Sequence, residues 1–262
     1  MGLIRAAAVT DVHVIVPEGI DDPTRPSGGN TYDRRVCAEL AALGWAVQMQ
    51  VVGDLAGALE RLPDGSIVLL DGLVASPAPE VLVPEAGRLR LVALVHMPLG
   101  DRSAADETRA REGDVLAGTA AVVTTSAWTR RRLLELYALP RDRVHVAEPG
   151  VDAADLAPGT TAGDALLCVA AVTRGKGHDV LLDALATATD LPWLCACVGS
   201  VDRDPAFADR VRRRAWARGL GDRIRFTGPR TGPDLASAFA AADLLVLASR
   251  AASRSSPRTW EA

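Results

Sequence analysis

Residues 165–186 read ALLCVAAVTRGKGHDVLLDALA, and the order of textures inside them decides the fold. Ala165–Val172 is a short apolar run of strand length. Thr173–Gly177 is polar and holds two glycines. From His178 to Ala186, Leu181, Leu182 and Leu185 recur at helical spacing. Strand, glycine-bearing turn and helix in succession form the repeating unit of a parallel α/β sheet. Downstream the alternation continues with strands at Trp193–Val198, Arg223–Phe226 and Leu244–Leu247, and helices at Pro205–Arg218 and Pro233–Ala241. Upstream, strands are predicted at Ala7–Val16, Ala46–Val52, Ile67–Leu70, Leu91–Val95, Ala120–Thr124 and Arg143–Val146. The helices between them are Thr31–Leu43, closed by Gly44, then Ser103–Leu116 and Ala127–Tyr137.

Ala153–Gly163 is rich in Ala, Pro, Gly and Thr, has no periodicity and reads as a linker. The expected organisation is an α/β domain over 1–152, a linker at 153–163, a second α/β domain over 164–248 and an irregular tail at 249–262. A doubly wound domain normally continues for more strands than the second one shows. That domain is therefore expected to be incomplete, with an uncovered sheet edge. The expectation is a C-terminally truncated chain whose tail is an out-of-frame reading.

Composition excludes several classes. The chain has 262 residues, 48% of them hydrophobic, which is enough for substantial cores. Its net charge of −4 argues against a nucleic-acid binder. No apolar run is long enough to span a bilayer, and Asp11 and His13 interrupt any secretory signal. Cys37, Cys168, Cys195 and Cys197 include no C-x-x-C pair, and the four histidines show no zinc spacing. The thiols read as small buried hydrophobes in a reducing, cytoplasmic setting, and no metal site is expected. Of 29 basic residues only Lys176 is a lysine, and Asn30 is the only asparagine. Where arginine serves wherever charge alone matters, a solitary ammonium marks a position that a planar guanidinium does not fill.

In open parallel sheets ligands collect beyond the carboxyl ends of the strands, and three segments fall there. Gly28-Gly29-Asn30 is predicted to be a loop before the first long helix, suited to an anion or a sugar hydroxyl. An ordinary loop with Asn30 near the helix N-cap is the plainer reading. His96 follows the strand Leu91–Val95 directly, either meeting a substrate or bonded to backbone. Thr173, Arg174, Gly175, Lys176 and Gly177 combine backbone access, positive charge and a helix start, which suits phosphate. The loop matches neither a Walker A pattern, since Gly177 follows Lys176, nor a dinucleotide fingerprint, whose third glycine is replaced by Val180.

Taken in order, these residues resemble the family 4 retaining nucleotide-sugar glycosyltransferases of GT-B fold. The likeness rests on Gly28-Gly29-Asn30, Leu94-Val95-His96-Met97-Pro98, Thr124-Thr125-Ser126 and Glu148-Pro149-Gly150-Val151-Asp152. It continues through Gly175-Lys176-Gly177-His178-Asp179-Val180-Leu181-Leu182 and Phe226-Thr227-Gly228. The resemblance implies two Rossmann-like domains, the first for an acceptor and the second for a nucleoside diphosphate sugar. It implies that Gly28, Gly29 and Asn30 border the cleft, that His96 is the active-site histidine, and that Lys176 contacts the donor diphosphate, flanked by Thr173, Arg174, Gly175 and Gly177. It implies transfer without metal or cofactor to an acceptor that is a sugar, a lipid or a small molecule, in the cytoplasm or at the inner membrane face. Two family features are absent: an arginine five positions before the lysine, where Ala171 stands, and a pair of glutamates after Leu244–Leu247. A non-catalytic nucleotide-sugar-binding remnant and a GT-B epimerase are the alternative expectations.

Overall fold

The computed structural model describes residues 10–101 and 106–250. They divide into two compact units. The first contains residues up to Ile20 and Ser27–Gly150, and the second contains Asp21–Pro26 and the described residues from Val151 onward.

In the first unit the chain runs β1 (Asp11–Val16), α1 (Gly28–Ala42), β2 (Ala46–Val51), α2 (Leu55–Glu60), β3 (Ile67–Asp71) and α3 (Gly72–Ala75). It continues through α4 (Pro79–Glu85), β4 (Arg90–Val95), α5 (Asp106–Gly118), β5 (Ala121–Thr124), α6 (Ala127–Leu136) and β6 (Val144–Val146). The strands pair in parallel in the order β2-β1-β3-β4-β5-β6. Strands such as DVHVIV and RLVALV are nearly continuous apolar runs because helices cover both sheet faces. Ile15, Val68, Leu70 and Leu91 pack with α2 and α4 on one side, while Val12, Val14 and Val16 pack with Tyr32, Val36 and Leu40 of α1 on the other. Each fully buried Leu, Ile or Val contributes about 1.5–3 kcal/mol.

The second unit runs β7 (Ala165–Val169), α7 (His178–Ala186), β8 (Leu194–Val198), α8 (Pro205–Ala217), β9 (Ile224–Gly228), α9 (Gly232–Ala240) and β10 (Leu244–Leu245). Its parallel sheet has the order β10-β7-β8-β9. Asp204 caps α8 by accepting from the Phe207 N–H at 3.1 Å, and Pro205 at the first helical position needs no partner for a missing N–H. The helix then buries Phe207, Ala208, Val211 and Ala215 against the core of this unit. Residues 151–160 have no regular structure.

The predicted alternation holds, with local corrections. Helix α1 starts at Gly28, not Thr31, so the expected Gly28-Gly29-Asn30 loop is the first helical turn, with Ser27 at the N-cap. Two glycines weaken helix propensity, but Asn30 anchors this turn by donating from Nδ2 to the carbonyls of Gly19 and Ile20, each at 3.3 Å. Strand β7 ends at Val169 and β10 spans only Leu244–Leu245, both shorter than the apolar runs that signalled them. Arg143 belongs to a 3-10 turn ahead of β6. The short helices α2, α3 and α4 have too few turns to show a period in sequence. Positions 7–9 of the first predicted strand, 103–105 of the Ser103–Leu116 helix and most of the tail lie outside the described residues.

One buried acid locks the loop that follows β4. Glu112 of α5 is fully buried and accepts from the N–H groups of Leu99 and Gly100, both at 2.9 Å, from Tyr137 Oη at 2.6 Å and from Ser76 Oγ at 3.1 Å. Replacing Glu112 with Ala orphans one buried and one part-buried backbone donor. Urea unfolding of Glu112→Ala is expected to show a loss of about 3 kcal/mol or more; a loss below about 1 kcal/mol would remove this role for the carboxylate.

Candidate functional site

In each unit the candidate residues lie where the strand order reverses. In the first sheet the strand order reverses between β1 and β3, and the crevice beyond the carboxyl ends at such a reversal is where ligands bind. Asp71 is the last residue of β3, His96 directly follows β4, and Asp33 lies in the first turns of α1. His96 Nε2 is 3.0 Å from Asp33 Oδ1 and 3.4 Å from Asp71 Oδ2. The two carboxylates are 1% and 3% exposed, while the imidazole is 24% exposed. Burial alone would lower the His96 pKa, but hydrogen bonds and charge from Asp33 and Asp71 prevail and hold it at about 9. Burial pushes Asp33 up to about 6 against the pull of His96. Asp71 is held below the usual carboxylate range despite burial, by His96, Asp33 and the Leu73 N–H. At neutral pH the imidazole is therefore a cation braced by two acids.

The surroundings fix that ring. Tyr32 meets it edge to face at 5.3 Å between centroids and donates its hydroxyl to Ala147 O at 2.8 Å. Thr125 and Thr129 each donate a hydroxyl to His96 O at 3.3 Å. A Cβ on Gly29 would stand 3.4 Å from His96 Cδ2, so this glycine lets the helix start approach the ring closely. Of the expected cleft residues, Gly29 does meet His96, whereas Asn30 turns to the backbone of residues 19 and 20. Asp33 and Asp71 escaped sequence reasoning because one acid on a helix and one at a strand end carry no spacing signal.

The second sheet reverses between β7 and β10. The segment after β7 enters a 3-10 turn at Arg174–Lys176, with Thr173 at its N-cap, and Gly177 is then the N-cap of α7. Gly177 has φ +67°, and a Cβ there would collide with the Ala248 carbonyl. Both requirements restrict the position to glycine. The turn is joined to the chain beyond β10: the Arg250 N–H donates to Gly175 O at 2.8 Å, and Arg250 Nη2 pairs with Asp179 at 2.6 Å. Gly175 has open space where a Cβ would be. The Lys176 pKa is lowered, first by burial and then by the positive charge of Arg203, against the opposing effect of Cys168. Arg203, in the turn between β8 and α8, is a second cation that sequence reasoning passed over. Its position after a strand end was the available signal.

Among the described residues, two clusters gather three possible metal donors each: Asp33 with Asp71 and His96, and Cys168 with His178 and Cys197. The expectation of no metal site rested on spacing along the chain, and folding brings together residues that spacing keeps apart.

Two doubly wound α/β units of this kind make the fold that of the GT-B glycosyltransferases. Anabaena Alr3699/HepE, solved in complex with UDP-glucose, is similar with a TM-score of 0.71 and 15% identity, covering 92% of this chain and 74% of that one. Sucrose-phosphate synthase from Thermosynechococcus elongatus is similar with a TM-score of 0.69 and 17% identity over 92% of this chain and 75% of that one. These likenesses show the fold. The family described as "Glycosyl transferases group 1" matches residues 163–259, and the match runs into the tail that sequence pattern alone reads as irregular. D-inositol 3-phosphate glycosyltransferase of Jonesia denitrificans is 31% identical over 170 residues, 56% of this chain and 40% of that protein. D-inositol 3-phosphate glycosyltransferase 1 of Catenulispora acidiphila is 29% identical over 232 residues, 77% of this chain and 55% of that protein. The chain spans about half the length of these relatives. No helix among the described residues is long and apolar enough to cross a membrane.

Because the folded pKa of His96 is raised, the stability its charge adds is complete below pH 6.5 and is lost as pH rises through about 9. NMR titration is expected to place the His96 imidazole midpoint near 9, with Asp33→Asn moving it down. A wild-type midpoint at 6.5 would contradict the braced cation.

Proposed function

We propose that the chain is part of a retaining glycosyltransferase that uses a nucleoside diphosphate sugar, with the diphosphate held at residues 173–177 of the second unit. The observation that carries this reading is the glycine-flanked turn that sets Lys176 at the start of α7, where the sheet order reverses. Burial and the nearby charge of Arg203 disfavour the Lys176 ammonium, and a bound anion would favour it. A pyrophosphate supplies that anion, and the N-terminus of α7 adds backbone N–H groups and a positive dipole end.

Sugar transfer makes the diphosphate a leaving group, on which negative charge grows as the glycosidic bond breaks. Preorganised cations that bind this charge more tightly in the transition state than in the ground state accelerate the step, and no metal ion is needed for it. Lys176 provides a compact ammonium and Arg203 a guanidinium, while Thr173, Arg174, Gly175 and Gly177 shape the turn around them. The open space at Gly175 leaves backbone within reach of phosphate oxygens.

In the first unit, His96 is the group for a sugar hydroxyl. Asp33 and Asp71 both engage Nε2, so the hydrogen bond to substrate falls to Nδ1 of a ring that stays protonated at neutral pH. Gly28 and Gly29 keep the neighbouring helix start free of side chains. The acceptor is a sugar, a lipid headgroup or a small molecule, and the setting is cytoplasmic, in keeping with four free thiols. The family match, the fold and the order of motifs favour transfer over the epimerase or binding-remnant readings.

Titration with UDP, GDP and ADP, followed by thermal shift and calorimetry, is expected to show one nucleotide binding in the micromolar range. Lys176→Ala should weaken it about tenfold or more, the value of a charge-assisted contact. Lys176→Arg should restore only part of that affinity. Equal affinity in wild type and Lys176→Ala would remove the site assignment. Product analysis on the chain carrying any missing C-terminal sequence should then show an anomeric configuration matching the donor; inversion would overturn retention.

A further inference from the structure

Strands β7 and β8 bring cysteines together in the core of the second unit. Cys168 is the registered partner of Cys197 across the two parallel strands, so both side chains point to one sheet face. His178, the first residue of α7, lies over that face with its Nε2 3.7 Å from Cys168 Sγ. Donor atoms of Cys168, His178 and Cys197 all lie within 4.8 Å of one another. These residues are 1%, 1% and 3% exposed, among Val172, Leu181, Leu182, Phe207 and Ile224. Cys195, two residues before Cys197 and on the same strand face, is 2% exposed but lies outside this set of mutually close donors.

We propose that Cys168, Cys197 and His178 bind a thiolate-preferring divalent cation of the zinc type as a structural site, with a solvent molecule completing the tetrahedron. The observed S···N separation of 3.7 Å is close to the edge of about 3.6 Å that tetrahedral zinc requires between sulfur and imidazole nitrogen. His178 is an odd core residue without an ion. A thiol is a poor partner for an imidazole, and among the described residues its buried Nδ1 has no hydrogen bond at all. Two thiolates and a neutral imidazole around a divalent ion leave no net charge in the buried core. Binding releases the thiol protons to solvent and involves no oxidation.

The ligands belong to three consecutive elements, so an ion would tie β7, β8 and the start of α7 together. Since His178 follows Gly177, it would also pin the turn that carries Lys176. This role is structural and separate from sugar transfer, which the proposed chemistry performs without a metal. It stands whether or not residues 173–177 bind a nucleotide.

The test uses the full chain, purified under reducing conditions, stripped with chelator and titrated with Co²⁺ and Zn²⁺ alone. The expected result is uptake of one equivalent, a thiolate-to-cobalt charge-transfer band, intense tetrahedral visible bands, and a higher melting temperature with zinc. Cys168→Val and Cys197→Val, which keep strand and core character, should lose the charge-transfer band and the zinc-dependent shift. Cys37→Ser, in the other unit, should retain both. Reduced wild-type protein that takes up no equivalent, or cobalt spectra without a thiolate band, would overturn the site regardless of how the variants fold. Unchanged uptake in folded Cys168→Val and Cys197→Val would overturn it as well.

Discussion

The contact between Gly177 and the Ala248 carbonyl governs the second unit. It requires a residue without a Cβ in a left-handed conformation, and both conditions are met only by glycine. Once it forms, the turn after β7 rests on the chain leaving β10, and Arg250 fastens the seam through Gly175 O and Asp179. The position of Lys176, its proximity to Arg203 and the start of α7 all follow from that seating. A four-stranded sheet whose edge strand has two residues is otherwise a slender support for a site.

The first unit reaches a comparable end by a different route. There the constraint is electrostatic: two carboxylates buried beside each other at the carboxyl edge of the sheet need a cation, and His96 provides it. The cost of burying those acids is offset only while the ring is protonated, so the charge of His96 belongs to the architecture. Tyr32, Thr125 and Thr129 hold the ring and its carbonyl, and Glu112 secures the loop beyond it. One unit places an ammonium in a glycine-flanked turn at a helix start, and the other braces a cationic imidazole between two buried carboxylates.

Much of this architecture can be read in the sequence. Apolar runs separated by helical periods give nearly every strand, because buried parallel strands leave a composition signal that does not depend on contacts. The turn at 173–177 is equally legible, since glycines flank a lone lysine between a strand and a helix. The start of α1 is not, because glycines resemble a loop until Ser27 and Asn30 are seen holding the turn. Helices as short as α3 have no period to detect. The partners of His96 are hidden for a deeper reason: Asp33, Asp71 and His96 come from a helix and two strand ends, and only strand order makes them neighbours. The same holds for Cys168, His178 and Cys197, which no spacing rule connects.

The central claim is that the ammonium of Lys176 meets a nucleoside diphosphate. Because the chain has a single lysine, ¹⁵N-lysine labelling gives one side-chain ammonium resonance to follow. The account predicts that this resonance shifts and saturates as nucleoside diphosphate is added, and does not move with the matching nucleoside. A resonance unmoved by a diphosphate that calorimetry shows to be bound would contradict it.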